Sequence, residues 1–87
     1  MLYETLTIGE NGHLYFAGQD TVALAKQYGT PLYLMDEDGI RRQCRVYQES
    51  FRKHFGASSR PLYASKACCF KRMYEIMQEE DMGIDVV

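Results

Sequence analysis

The sequence predicts an α/β fold made of parallel βα units, entered through an antiparallel hairpin. Two observations carry the prediction. From position 31 onward, short apolar runs alternate with longer stretches of helical periodicity in the order strand, helix, strand, helix, strand. Alternation of that kind calls for helices packed outside a buried sheet. Before position 31 the pattern is of strand type on both sides of a turn. The chain has 87 residues, whereas an α/β barrel takes about 250 and an open doubly wound sheet needs more strands than these. The sequence therefore reads as the N-terminal piece of a longer protein.

The elements follow in order. Residues 3 to 8, "YETLTI", alternate apolar and polar, "GENG" at 9 to 12 supplies turn residues, and "HLYFA" resumes the extended pattern, which together predict a hairpin. Asp20 is placed to cap a short helix running to about Tyr28, and Gly29 and Pro31 then act as stop signals. "PLYLM" at 31 to 35 reads as a strand. From Asp36 to Phe55 the residues Ile40, Cys44, Tyr47, Phe51 and Phe55 recur at helical spacing. Acidic Asp36, Glu37 and Asp38 open this helix and Arg52 and Lys53 close it, as the helix dipole favours. "GASSR" is a loop and "PLYAS" an extended segment. Phe70, Met73, Tyr74 and Met77 give a second amphipathic helix that ends in "QEED" before Gly83, and "GIDVV" is a strand with β-branched residues. The predicted division is 1–35, the hairpin, short helix and strand, and 36–87, the first βα units.

Composition narrows the function classes. Hydrophobic residues make up 46% and charged residues 25%, as in folded soluble chains and unlike disordered ones. The formal charge is −2, yet six of the ten basic residues (Arg41, Arg42, Arg45, Arg52, Lys53 and Arg60) fall between 41 and 60. A nucleic-acid face is disfavoured, because the overall balance is acidic and the same helix carries Asp36, Glu37, Asp38 and Glu49. A solvated helix face is the simpler reading. No run approaches the roughly 20 apolar residues of a membrane span, and "MLYETLTIGENG" has neither a basic start nor an apolar stretch. A cytoplasmic location with no membrane partner is the expectation. Cys44, Cys68 and Cys69 lack the spacing of a disulfide framework or a zinc site and read as reduced thiols. Cys44 sits on the apolar helix stripe, Cys68 and Cys69 at a strand-to-helix junction where packing is the simplest role, and His13 and His54 read as exposed, solvated side chains.

One residue stands out. In barrels of βα units, reactive side chains sit at the C-terminal ends of strands, and Lys66 directly follows the apolar run "PLYAS". Partly apolar neighbours, here Tyr63, Ala64, Ala67 and Cys68, would destabilise the ammonium form and favour the neutral amine. A neutral amine is what attacks an aldehyde to form a Schiff base. A strand-end lysine that snorkels to water remains open on spacing alone.

Three motifs in register extend this. "YGTPLYLMDEDGIRRQ" at 28 to 43, "YASKA" at 63 to 67 and "GIDVV" at 83 to 87 together resemble the N-terminal part of the diaminopimelate decarboxylases. These belong to the fold-type III, alanine racemase-like group of enzymes that use pyridoxal 5'-phosphate (PLP). The resemblance implies a PLP-binding (β/α)8 TIM barrel, preceded by strands that belong to a second β-domain. It implies that Lys66 forms the internal aldimine with PLP, that Asp85 lies near the cofactor, and that the reaction is decarboxylation of meso-2,6-diaminopimelate to L-lysine, the last step of lysine biosynthesis. It also implies a homodimer of the complete protein, whose phosphate-binding and pyridine-binding residues lie beyond Val87. Other readings stay open at this point. They are another decarboxylase of the group, acting on arginine, ornithine or carboxynorspermidine; a non-catalytic PLP-binding barrel; and a small interaction module with no cofactor. Asp85 could equally be only the ion partner of Lys66. Many relatives carry Asn after "KA", where this chain has Cys68, which puts a polar contact from that position in doubt.

Overall fold

The structure, a computed structural model, describes residues 4–86. The chain divides into two compact units that meet at Asp36 and Glu37.

The first unit holds strands β1 (Leu6–Ile8), β2 (Leu14–Phe16) and β3 (Gln19–Asp20) and helix α1 (Thr21–Tyr28). The strands form an antiparallel sheet in the order β1-β2-β3, with Leu6 opposite Phe16 and Tyr15 opposite Asp20. The predicted hairpin is present, with Glu4 and Thr5 in a turn before the strand that begins at Leu6; Tyr3 lies outside the described residues. The short strand β3 was not foreseen. It arises because Ala17 (φ 50°) and Gly18 (φ 79°) both adopt left-handed backbone, as a two-residue type I′ turn requires. Glycine takes that conformation freely, whereas alanine does so at a cost of about 1 kcal/mol.

Asp20 caps α1 as its position predicts, accepting from the Val22 and Ala23 amides at 2.9 and 3.3 Å. His13 Nδ1 lies 2.9 Å from the second Asp20 carboxylate oxygen. The imidazole holds that carboxyl below its usual value, helped by the two capping amides and Asn11. His13 is thus a half-buried partner of the cap, not a freely solvated side chain. The Gly29 amide closes the helix by donating to the Ala25 carbonyl at 2.8 Å.

"PLYLM" is not a strand here. Residues 32 to 36 have no regular structure, and Tyr33 is 95% exposed. An extended segment becomes a strand only by sharing a hydrogen-bond ladder, and none of the described residues pairs with this one.

The second unit is α/β. Helix α2 (Glu37–Phe55) leads to strand β4 (Leu62–Ala64), a single 3-10 turn (Ser65–Ala67), helix α3 (Lys71–Glu79) and strand β5 (Gly83–Asp85). β4 and β5 pair in parallel, with Leu62, Tyr63 and Ala64 opposite Gly83, Ile84 and Asp85. Side chains alternate across a strand. Tyr63 and Ile84 accordingly pack on the core of Cys44 from α2, Met73, Ile76 and Met77 from α3, and Met82. Leu62, Ala64 and Asp85 project from the other face and are exposed. Of the predicted α2 stripe, Cys44 is buried and Ile40 and Phe51 are half-buried, whereas Tyr47 and Phe55 are exposed.

The two helices are also tied by charge. Arg41 reaches Glu37, Glu79 and Glu80 at 3.3, 3.0 and 3.1 Å, Arg45 reaches Glu80 at 2.9 Å, and Arg72 reaches Glu37 at 2.8 Å. Arg45 and Arg41 hold the Glu80 carboxyl below its usual value, and Glu80 and Glu79 push the Arg41 guanidinium up. Arg41 is half-buried among these carboxylates, whereas Arg45 stays exposed, as a solvated face has it. Besides Glu37 on α2 itself, the carboxylates these two arginines reach are those of Glu79 and Glu80, more than thirty residues further along and beyond the reach of spacing within one helix.

Helix α3 ends in a Schellman motif. The Met82 amide donates to the Met77 carbonyl and the Asp81 amide to the Gln78 carbonyl, at 2.8 and 3.1 Å, with Asp81 in the left-handed region at φ 56°. Met82 and Met77 then meet in the core, the hydrophobic contact that accompanies this motif.

Candidate functional site

The carboxyl ends of β4 and β5 gather the residues singled out by sequence. β4 runs out at Ala64, and the 3-10 turn carries Lys66 immediately beyond it. The parallel register sets Asp85 directly opposite Ala64. Lys66 and Asp85 are both exposed, and Asp85 lies on the face of the β4–β5 pair opposite the helix-packed core. Ser65, 3% exposed, anchors the turn between them and the core.

Of the neighbours inferred for Lys66, Tyr63 and Cys68 pack against the core, Ala64 and Ala67 are exposed, and Lys66 itself is exposed. No ion pair joins Lys66 to Asp85 among the described residues.

Sequence reasoning did not foresee how the turn is held. The Tyr63 hydroxyl donates to the Cys68 carbonyl at 2.8 Å, and the Cys68 amide donates to the Ser65 carbonyl at 3.2 Å. Burial pushes the Tyr63 phenol up, so it stays a donor through the neutral range. Cys68 packs against the core, as the junction reading has it, whereas Cys69 is exposed. Cys44 is buried beside Met77, with the two sulfurs 3.8 Å apart, and burial pushes its thiol up. All three cysteines are free.

Chemically, the site offers an accessible primary amine with a carboxylate on the adjacent strand, on an open sheet face. Such an arrangement suits an aldehyde-bearing cofactor, which needs an amine within reach of solvent and substrate. A phosphate cradle is not evident at this end. The "FGASS" loop enters β4 instead of leaving it, so it lies at the strand's opposite end. A cleft of about 190 Å³ there is lined by Gln48, Arg52, Ser58, Ser59, Arg60 and Asp81, among others. Its polar groups are largely engaged: Arg60 with Asp81 at 3.3 Å, Ser59 with the Phe51 and Gly56 carbonyls, and Gln48 with the Glu80 carbonyl.

No family model matches the chain. Individual proteins do. The chain is 40% identical over 83 residues to a diaminopimelate decarboxylase of Synechocystis sp., a match covering 95% of this chain and 18% of that protein. It is 39% identical over 88 residues to the enzyme of the same name from Methanothermobacter thermautotrophicus, covering 99% and 20%. The Bacillus subtilis diaminopimelate decarboxylase is 36% identical over 86 residues, covering 99% and 19%. Among solved structures, the diaminopimelate decarboxylase of M. jannaschii in complex with L-lysine superposes with a TM-score of 0.72 at 27% identity, over 97% of this chain and 20% of that one. The chain thus spans about a fifth of the length of the relatives it matches. In sequence and in fold the chain is similar to the N-terminal region of the diaminopimelate decarboxylases.

Proposed function

We propose that this chain supplies the lysine that covalently carries PLP in an enzyme that removes carbon dioxide from meso-2,6-diaminopimelate to leave L-lysine. The single observation that carries the proposal is the position of Lys66, an exposed amine just past the carboxyl end of a parallel strand, with Asp85 in register on the neighbouring strand. Strand ends of this polarity hold the reactive groups of α/β barrels, and we assign β4 and β5 to the first strands of such a barrel. The strands of the first unit would then join a β-domain completed elsewhere in the whole protein. PLP, once bound, supplies the electron sink for the carbon that loses carbon dioxide. Lys66 would hold the aldehyde carbon, yield it to the substrate amine and take it back when product leaves. Asp85, opposite Ala64 in the register, would add a fixed negative charge at the same end of the sheet. The relatives' shared name and the L-lysine complex of the M. jannaschii protein support this substrate and product over the arginine, ornithine and carboxynorspermidine alternatives. A homodimer in the cytoplasm is part of the same proposal. No helix of the described residues is long and apolar enough to cross a membrane.

The test is borohydride reduction of the whole protein with PLP, followed by peptide mapping. Label on the peptide containing Lys66, and its loss in Lys66→Ala, is the expected result. Label on another lysine overturns the assignment. Turnover of arginine or ornithine in preference to diaminopimelate would move the protein to a neighbouring activity.

A further inference from the structure

We propose that Tyr63 is a positioning residue for Lys66, its hydroxyl clamping the strand-to-helix turn from which the lysine projects by donating to the Cys68 carbonyl. The inference rests on the assignment of Lys66 made above.

Lys66 makes no side-chain hydrogen bond or ion pair within the described residues, so the place of its amine is governed by the backbone of the 3-10 turn. That turn is short, and 3-10 hydrogen bonds have poorer geometry than those of an α-helix. Its own bond runs from the Cys68 amide to the Ser65 carbonyl at 3.2 Å. The second tie is the Tyr63 hydroxyl on the Cys68 carbonyl at 2.8 Å. The two bonds engage both sides of the same peptide residue, and Lys66 lies between their ends. Tyr63 is suited to the task because it is the central residue of β4 and its ring packs on the helix-facing core. The clamp is therefore mounted on a strand that packs on the core. A phenylalanine would fill the same core space but leave the Cys68 carbonyl without this donor.

Tyr63→Phe keeps the ring and removes the clamp, and it can be read at two levels. In the chain itself, amide hydrogen exchange at Cys68 should quicken by about tenfold, the change in local opening that losing one such hydrogen bond allows. Exchange at Ile76 in α3 should stay within about twofold, which also certifies that the unit is folded. In the whole protein with PLP, borohydride label should remain on Lys66 while kcat falls by about tenfold and KM stays within about twofold, as expected when a reacting group is held less well in place. A residue with a purely structural part would lower the melting temperature and leave kcat of the surviving folded protein unchanged. Unaltered Cys68 exchange, or unaltered kcat with label still on Lys66, overturns the proposal. Wild-type label on a different lysine instead overturns the Lys66 assignment, and the exchange measurement then still decides whether Tyr63 holds the turn.

Discussion

Replacing Ile76 with alanine should remove much of the stability of the second unit. Ile76 is 1% exposed and lies in the core between α3, α2 and the β4–β5 pair. The substitution deletes the side-chain carbons beyond Cβ, worth about 0.8 kcal/mol each in transfer free energy, or roughly 2.4 kcal/mol together. The cavity left behind adds to this, and Ile-to-Ala changes in cores cost about 2–5 kcal/mol in all. A unit of this size commands only about 3–8 kcal/mol, taking 0.05–0.15 kcal/mol per residue. The urea midpoint, followed by helical circular dichroism, should therefore drop by about 2 M or more for a slope near 1 kcal/mol per molar. Val46→Ala on α2 is the control, since Val46 is 52% exposed and surface changes stay within about 0.5 kcal/mol. If Ile76→Ala lowers the midpoint no more than Val46→Ala does, the placement of the core is wrong.

Two further outcomes are expected. Ala17→Gly and Asp81→Gly each relieve a left-handed backbone and should raise thermal stability by about 0.5–1 kcal/mol; a melting temperature that falls in both would contradict the turn and helix-stop geometry. The Asp20 carboxyl, held below its usual value chiefly by His13, contributes stability that is present above its unfolded value of about 3.9 and is lost as pH falls through the lower folded value. Protection of the Val22 and Ala23 amides should follow that acid limb in the native chain and lose it in Asp20→Asn, which keeps a capping oxygen; an unchanged limb in the variant would dissociate it from Asp20.

The long helices were legible because nineteen residues of one periodicity leave little ambiguity in α2, and its charged ends agree with the dipole. The Asp20 cap was legible for a similar reason, as a side chain acting on amides two and three residues away. Features that depend on distant partners were not. "PLYLM" has strand composition but no neighbour to pair with among the described residues, and the Glu80 carboxylate that engages Arg41 and Arg45 lies more than thirty residues away, just past the end of α3. The two left-handed residues Ala17 and Asp81 hid β3 and the Schellman motif, because neither carries the glycine that would announce such a conformation. For the site, sequence located Lys66 and Asp85 at the ends of consecutive strands, and the register sets Asp85 opposite Ala64, two residues before the lysine. That Tyr63 and Cys68 pack inward was not legible, because it depends on the helices they meet. The Tyr63 clamp carried no signal of its own, a tyrosine in a strand being an ordinary packing residue.

The way α3 stops has a consequence for the carboxylate at position 85. Met82 is locked to the last turn, Gly83 follows at once with its amide on the Pro61 carbonyl at 3.3 Å, and β5 begins with no slack. One residue inserted between helix and strand would shift the pairing by a single step and invert every side chain of β5. Ile84 would be expelled into water and Asp85 driven into the methionines, so the spacing of this junction decides on which side of the sheet the negative charge emerges.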